Sequence, residues 1–186
     1  EWGVLYIRAE YPESFPIIEA AIEDFRKAGL LGEDISGSGF NFDFKIVPGQ
    51  GSYICGEETA LISSIEGQRP EVRVRPPFPA QKGLFNKPTI VNNVETLAVI
   101  PYIIKYDGAA YAALGTEKSN GTKLMSLDSY FKRSGVYEVE MGTPLSTVVN
   151  DLGGGFTEPV KALHIGGPLG GMVPVAKIDE LTIDFE

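Results

Sequence analysis

Tyr53-Ile-Cys-Gly-Glu-Glu-Thr-Ala60 and Val91-Asn-Asn-Val-Glu-Thr-Leu97 each place polar side chains at the start of a predicted helix, directly after a tight or proline-bearing turn. The first turn of a helix presents unpaired backbone N–H groups and the positive end of the helix dipole, which suits an anionic or acceptor-rich ligand. Working outward, Val4–Arg8 is a short, mostly apolar run that predicts a buried strand. Ser14–Ala28 predicts a helix with Ile18, Ala21, Ile22 and Phe25 on one stripe and Gly29 as its stop. Phe42, Phe44 and Ile46 alternate with Asp43, Lys45 and Val47, which predicts a strand ending at Pro48-Gly49. The next helix runs from Glu57 to Glu66 and is closed by Gly67. Strand, helix, strand, helix is the order of a layered α/β domain, and two polar helix starts within it suit the walls of a nucleotide or flavin site.

Residues 68–88 hold Pro70, Pro76, Pro77, Pro79 and Pro88, so the segment is expected to be a surface loop with neither helix nor central strand. Helix is expected again from near Asn92 to about Tyr106, kinked at Pro101. The polar stretch Gly115–Gly121 is the best linker, giving domains 1–115 and 116–186. Beyond it, Lys123–Leu127, Val136–Val139 and Val160–Ile165 predict strands, the first two joined by a turn at Arg133-Ser134-Gly135. Thr143–Leu152 predicts a short helix ending in Gly153-Gly-Gly155, and Gly166-Gly-Pro-Leu-Gly-Gly171 follows the last strand. That order suits a small α+β module with a helix against one face of a sheet.

A length of 186 residues and a hydrophobic content of 43% support a real core. The net charge of −9 argues against nucleic acid or an anionic membrane surface as the main partner. No apolar run approaches the roughly 20 residues that span a bilayer, so direct membrane insertion is not expected. No signal peptide is visible at Glu1-Trp-Gly-Val-Leu-Tyr-Ile-Arg8, and a start without Met, inside a predicted strand, suggests a piece of a longer protein. The single cysteine, Cys55, excludes an internal disulfide and any four-cysteine iron–sulfur or zinc site, and a reducing cytosol is the simplest home.

Each candidate residue has a plain reading beside its functional one. Pro48-Gly-Gln-Gly-Ser-Tyr53 fails as a dinucleotide fingerprint, because Ile54 stands where the third glycine after Gly49 and Gly51 belongs. Glu57 and Glu58 fit the first turn of a helix on dipole grounds alone, or they accept ring or ribose hydrogen bonds at a flavin edge. Asn92 with Glu95 fits a capping box, which leaves Asn93 and Thr96 free to hold phosphate or ribityl oxygens. Phe78, between Pro77 and Pro79, either stacks on a planar ring or plugs its loop onto the core. Residues 66–90 carry Arg69, Arg73, Arg75, Lys82 and Lys87 against Glu66 and Glu71, a solvated face or an attraction for a dinucleotide phosphate. Cys55 reads as a small buried residue and the lone His164 as structural, and no cluster has metal-ligand spacing.

Taken together and in order, Gly51-x-Tyr53-Ile-Cys-Gly-Glu-Glu-Thr-Ala-Leu61, Pro76-Pro-Phe-Pro-Ala80, Gly83-Leu84, Pro88-Thr89 and Val91-Asn-Asn-Val-Glu-Thr-Leu97 closely resemble a known family. It is the NADH-binding, FMN-carrying subunit (51-kDa type) of respiratory NADH dehydrogenase, with relatives in NAD-linked hydrogenases and formate dehydrogenases. Tyr6-Ile-Arg-x-Glu10-Tyr11 matches the family's preceding strand, with Ala9 where glycine is usual. The resemblance implies a partial Rossmann-like domain in which FMN takes a hydride from NADH and passes electrons singly to iron–sulfur clusters. It implies that Gly56, Glu57 and Glu58 line the flavin and nicotinamide side, with the two glutamates as catalytic candidates. Val91, Asn92, Asn93 and Thr96 are implied FMN contacts, Phe78 lies near the dinucleotide, and Tyr53 sits beside the ring.

The second unit resembles the soluble-ligand-binding β-grasp domain that follows in this family. Gly166–Gly171 and Ile183-Asp-Phe-Glu186 look closer to the hydrogenase and formate-dehydrogenase relatives. The family's upstream glycine-rich loop and its downstream cysteine-rich domain with a 4Fe-4S cluster are not in this sequence. The fragment alone is therefore expected to bind FMN weakly or not at all and to lack NADH dehydrogenase activity. Expected partners of the full-length protein are NADH and the iron–sulfur subunits of an electron-transfer complex, in the cytoplasm or peripheral to the membrane's cytoplasmic face. Two rival readings stand beside this one: a β-grasp docking or ligand module on an inactive flavin-domain scaffold, and a ferredoxin-linked flavoprotein of another electron-transfer complex.

Overall fold

The computed structural model describes residues 1–50 and 52–185; Gly51 and Glu186, both named above, lie outside the described residues. The chain is a mixed α/β fold that divides into two compact units, Glu1–Asn92 and Asn93–Glu186.

In the first unit, β1 (Trp2–Arg8) pairs in parallel with β2 (Asp43–Gly49), in a register that sets Trp2 opposite Asp43 and Arg8 opposite Gly49. Parallel neighbours need a crossover, and α1 (Ser14–Lys27) supplies it. Ile22 is the one buried residue of α1, and the helix ends at Ala28 and Gly29, the latter in the left-handed region at φ 68°. A 3-10 turn, Tyr53–Gly56, leads into α2 (Glu58–Ile65), and Cys55, Ala60, Ile62 and Leu84 join Ile22 as this unit's buried apolar residues.

One glycine is fixed by packing. A Cβ on Gly49 would lie 2.4 Å from ring carbons of Tyr6, whose hydroxyl shares a 2.7 Å hydrogen bond with Ser64 of α2. The bare backbone at residue 49 lets Tyr6 cross the end of β2 and tie β1 to α2. Burial, then a hydrogen bond with Cys55, raises the Tyr6 hydroxyl above its ordinary pKa.

The proline-rich segment departs from the expected bare loop. It contains α3 (Pro79–Lys82) and a 3-10 turn, Leu84–Asn86. Proline is excluded from helix interiors but suits the first turn, where its missing N–H costs nothing, and Pro79 stands there.

In the second unit the expected kinked helix is two helices, α4 (Val94–Ala98) and α5 (Ile100–Tyr106), with Pro101 in the first turn of the second. A further helix, α6 (Gly108–Ala112), was not expected; Asp107 caps it by accepting the Ala110 N–H at 2.8 Å. Gly115–Gly121 is a closed turn in which Thr116 donates to the Ser119 carbonyl and Ser119 is buried. β3 (Thr122–Leu127) and β4 (Gly135–Glu140) form an antiparallel hairpin, as do β5 (Ala162–Ile165) and β6 (Gly171–Pro174). Strand β6 was not foreseen; it lies beyond the last strand that the sequence predicts. The predicted Thr143–Leu152 helix starts later and winds as a π-helix over Thr147–Leu152, where Gly153 donates to the Val148 carbonyl at 2.9 Å. Val148 and Val149 anchor this unit's core with Leu127, Phe131, Val139, Met141, Leu145, Ile178 and Ile183.

Candidate functional site

The turn Tyr53–Gly56 sorts its side chains by burial: Cys55 points into the core, while Tyr53 stays 47% exposed beneath the Arg8 guanidinium, 5.9 Å from the ring centroid. Among the described residues, a Cβ on Gly56 would meet no atom within 4 Å, and its φ is not positive. The glycine is required neither by the turn nor by packing against the protein.

Glu57 was expected in the first turn of the helix and is instead its N-cap, with φ −75° and ψ 130°. Its Oε2 accepts the N–H of Thr59 at 3.0 Å, the N–H of Ala60 at 2.9 Å and the Thr59 hydroxyl at 2.6 Å. Its Oε1 accepts from Arg75, whose same nitrogen lies 3.0 Å from Glu58. Burial works to raise the Glu57 carboxyl, but the hydrogen bonds from Thr59 and Ala60 and the charge of Arg75 outweigh it, so it titrates below the ordinary range. The helix start that the sequence offered to an anionic ligand is thus already met by this chain's own carboxylate. What remains at the site is a fixed anion beside an open backbone.

The arginines between residues 66 and 90 form no free positive face. Arg73 pairs with Glu66 at 2.5 Å, Arg75 pairs with Glu57 and Glu58, and Arg69 lies 3.3 Å from Glu71. Phe78 stands at the N-cap of α3, 53% exposed, and its carbonyl accepts the N–H groups of Gln81 and Lys82. It does not plug the core.

Val91 and Asn92 close the first unit, and Asn93 and Thr96 open the second. The expected capping box is not formed. Asn93, not Asn92, caps α4, its side-chain oxygen accepting the Glu95 N–H at 2.7 Å. Glu95 turns instead to β3, where it accepts from Lys123 and from the Leu124 N–H at 3.2 Å. Burial raises the Glu95 carboxyl, while Lys123 and the Leu124 amide lower it further, leaving it below the ordinary range. The side chains of Asn92 and Thr96 and the amide nitrogen of Asn93 hydrogen-bond to no described residue.

Sequence reasoning missed the parts played by Thr59, Glu66, Arg75 and Lys123. The signal for Arg75 was the two-residue spacing of Arg73 and Arg75, which places both side chains on one edge of an extended segment. A cavity of about 1100 Å³ lies elsewhere, within the second unit. Residues 123–128 and 162–167 line it in unbroken runs, with His164 the one residue among them that the sequence singled out. Among the described residues no group of three or more His, Cys, Asp or Glu is placed to hold a metal ion. Among them, too, no helix is long and apolar enough to cross a membrane.

Residues 1–102 match the family model described as the Nuo51 FMN-binding domain. The chain belongs to this family. Among the family's members it is 48% identical, over 99% of its length, to the NADP-reducing hydrogenase subunit HndC of Solidesulfovibrio fructosivorans, of which it covers 38%. It is 46% identical, over 87% of its length, to an NADH-quinone oxidoreductase subunit of Aquifex aeolicus, again covering 38% of that protein. The crystal structure of an NAD+-reducing [NiFe]-hydrogenase in the H2-reduced state superposes on 99% of the chain and 31% of the hydrogenase chain, with a TM-score of 0.85 at 34% identity. The chain therefore spans under two fifths of the length of these curated relatives. The family match extends past Asn92 to residue 102, so α4 belongs to the flavin-domain sequence while packing with the second unit.

Proposed function

We propose that this chain is part of an NADH-oxidising flavoprotein subunit: a partial Rossmann-like FMN domain over 1–115, followed by a β-grasp domain over 116–186. The observation that carries the reading is Gly56, a glycine without a steric reason in the fold, open to space next to the fixed Glu57 carboxylate. A planar ring system can reach the backbone there, which fits FMN. When bound, FMN supplies the acceptance of a hydride and the release of electrons one at a time.

The chain's own residues bind and orient. Gly56 lets the ring approach, and Tyr53 stands exposed beside it. Glu57, kept ionised by Thr59, Ala60 and Arg75, and Glu58 are the carboxylates that order the nicotinamide side. Phe78 offers its face to the dinucleotide. Val91, Asn92, Asn93 and Thr96 hold the FMN tail, the last three with polar groups that have no described protein partner. NADH is the donor, and the electrons leave to iron–sulfur subunits of a complex. The 4Fe-4S cluster belongs to the full-length protein and not to these residues. The subunit works in the cytoplasm or peripheral to the membrane's cytoplasmic face, and residues 1–186 alone are inactive.

Purification of the full-length protein without oxygen tests this. Bound FMN with iron–sulfur absorption that bleaches on NADH addition supports the reading. A colourless protein that takes up neither flavin nor iron on reconstitution sinks it. The roomy cavity of the second unit favours a second reading, a docking or ligand module on an inactive flavin scaffold. Retention of a ligand or partner by that colourless protein would support it.

A further inference from the structure

Glu66 closes a clasp. It follows α2 as its C-cap, and its side chain is only 11% exposed. Oε2 accepts from the Arg73 guanidinium at 2.5 Å, and Oε1 accepts the backbone N–H of Phe85 at 2.7 Å. The two donors lie at opposite ends of the segment that carries Phe78, so one carboxylate pins both ends of the loop to the helix. Arg73 is held there twice more, its N–H on the Thr59 hydroxyl at 2.9 Å and its Nε on Ser63 at 3.0 Å. Phe85 presents its N–H from a left-handed conformation, φ 48°, and Asn86 follows at φ 61°. Non-glycine residues hold such conformations where surrounding contacts over-determine them. Inside the clasp, Pro79 and Leu84 are buried while Phe78 is held out to solvent.

From this geometry we infer that Glu66 is a positioning residue for nucleotide binding, acting through Phe78 by fixing the loop that presents its ring. The inference rests on the proposed role of Phe78 beside the dinucleotide. A stacked aromatic contributes most when its loop is ordered before the ligand arrives, because the ordering cost is then not taken from binding. Glu66 touches no part of the nucleotide and acts only through the loop. It is separate from Arg75, Glu57 and Glu58, which face the site themselves.

The test is a double-mutant cycle in the full-length, FMN-loaded protein, read as the calorimetric Kd for NAD+ and as hydrogen exchange of the amides in residues 78–85. Phe78→Ala is expected to weaken NAD+ about tenfold, and Glu66→Ala by a similar factor with unchanged FMN content. Glu66→Gln, which keeps an oxygen for the Phe85 N–H, is expected to weaken it less and serves if the alanine variant does not fold. In the Phe78→Ala background, removing Glu66 is expected to add nothing to Kd while still speeding exchange in the loop. If the two losses multiply, or if neither Glu66 variant changes Kd while Phe78→Ala does, the positioning role is overturned and the dinucleotide reading of Phe78 stands. If Phe78→Ala leaves Kd unchanged, that reading falls and this inference falls with it.

Discussion

The Glu95 carboxylate and the Lys123 ammonium are joined by a hydrogen bond, and the other oxygen of the same carboxylate takes the Leu124 N–H at 3.2 Å. The first turn of α4 is thereby fastened to the edge of β3, within the unit that holds Asn93 and Thr96. Glu95→Ala leaves a half-buried ammonium and a strand N–H without their acceptor. The expected loss is about 1–2 kcal/mol of stability, more than an exposed pair costs, because a backbone donor is stranded too. Urea unfolding of Glu95→Ala, Lys123→Met and the double variant measures the coupling. Strict additivity would deny the link.

The same pair sets a pH response. Glu95 titrates below the ordinary carboxyl value of 4.5 in the folded chain, as does Glu57. A carboxyl lowered by folding contributes stability that is complete above its unfolded pKa and is lost as pH falls through the folded value. Stability is therefore expected to decline as the solution is acidified below that ordinary value, and Glu95→Gln is expected to show a shallower decline than the parent chain. Melting temperatures of both across that range check it; parallel curves would assign the acid response to other groups.

Gly49 and Tyr6 give a prediction of packing alone. A Cβ 2.4 Å from the ring cannot be accommodated unless Tyr6 moves, and moving it breaks the hydroxyl contact with Ser64. Gly49→Ala is expected to cost about 1–3 kcal/mol, and Tyr6→Phe about 1 kcal/mol through the hydrogen bond only. Thermal unfolding of the two variants ranks them. An alanine variant as stable as the parent would mean that the ring shifts freely.

How much of this was legible in the sequence depends on whether a residue's partner lies nearby in the chain. β1, α1 with its glycine stop, β2 and the β3–β4 hairpin follow from local periodicity and turn residues, and they stand close to where the pattern put them. Glu95 was read as a cap for its own helix, because Asn92 stood three residues before it. The structure uses the neighbouring Asn93 and sends Glu95 to a strand 28 residues away, a partner that no local pattern names. The arginines of Val72-Arg-Val-Arg75 read as a solvated face or a phosphate attractor for the same reason, since no local pattern names their partners. Val74 is 88% exposed, and Arg73 and Arg75 turn in to meet Glu66, Glu57 and Glu58. Part-buried carboxylates at the two ends of α2 hold these arginines, since a charged donor leaves water only toward a partner. The π-helix at Thr147–Leu152 left no sequence signal, because its side-chain spacing differs from an α-helix by a fraction of a turn.

Gly56 and Gly49 differ in what surrounds them. Gly49 is fixed by Tyr6, whereas no described residue comes within 4 Å of a Cβ on Gly56, and its backbone lies in a region that any residue adopts. Gly56→Ala is therefore expected to leave the melting temperature of this chain unchanged, or to raise it slightly by restricting the unfolded state. In the full-length protein the added methyl would project into the space where the proposed ring lies, beside a Glu57 held in place by Thr59, Ala60 and Arg75. The expected result is a loss of at least about tenfold in FMN affinity, and a larger loss for Gly56→Val, in reconstitution of flavin-depleted protein. Wild-type flavin affinity in both variants would show that the open space beside Glu57 is not where the ring sits, and the reading of this turn as the flavin edge would fail.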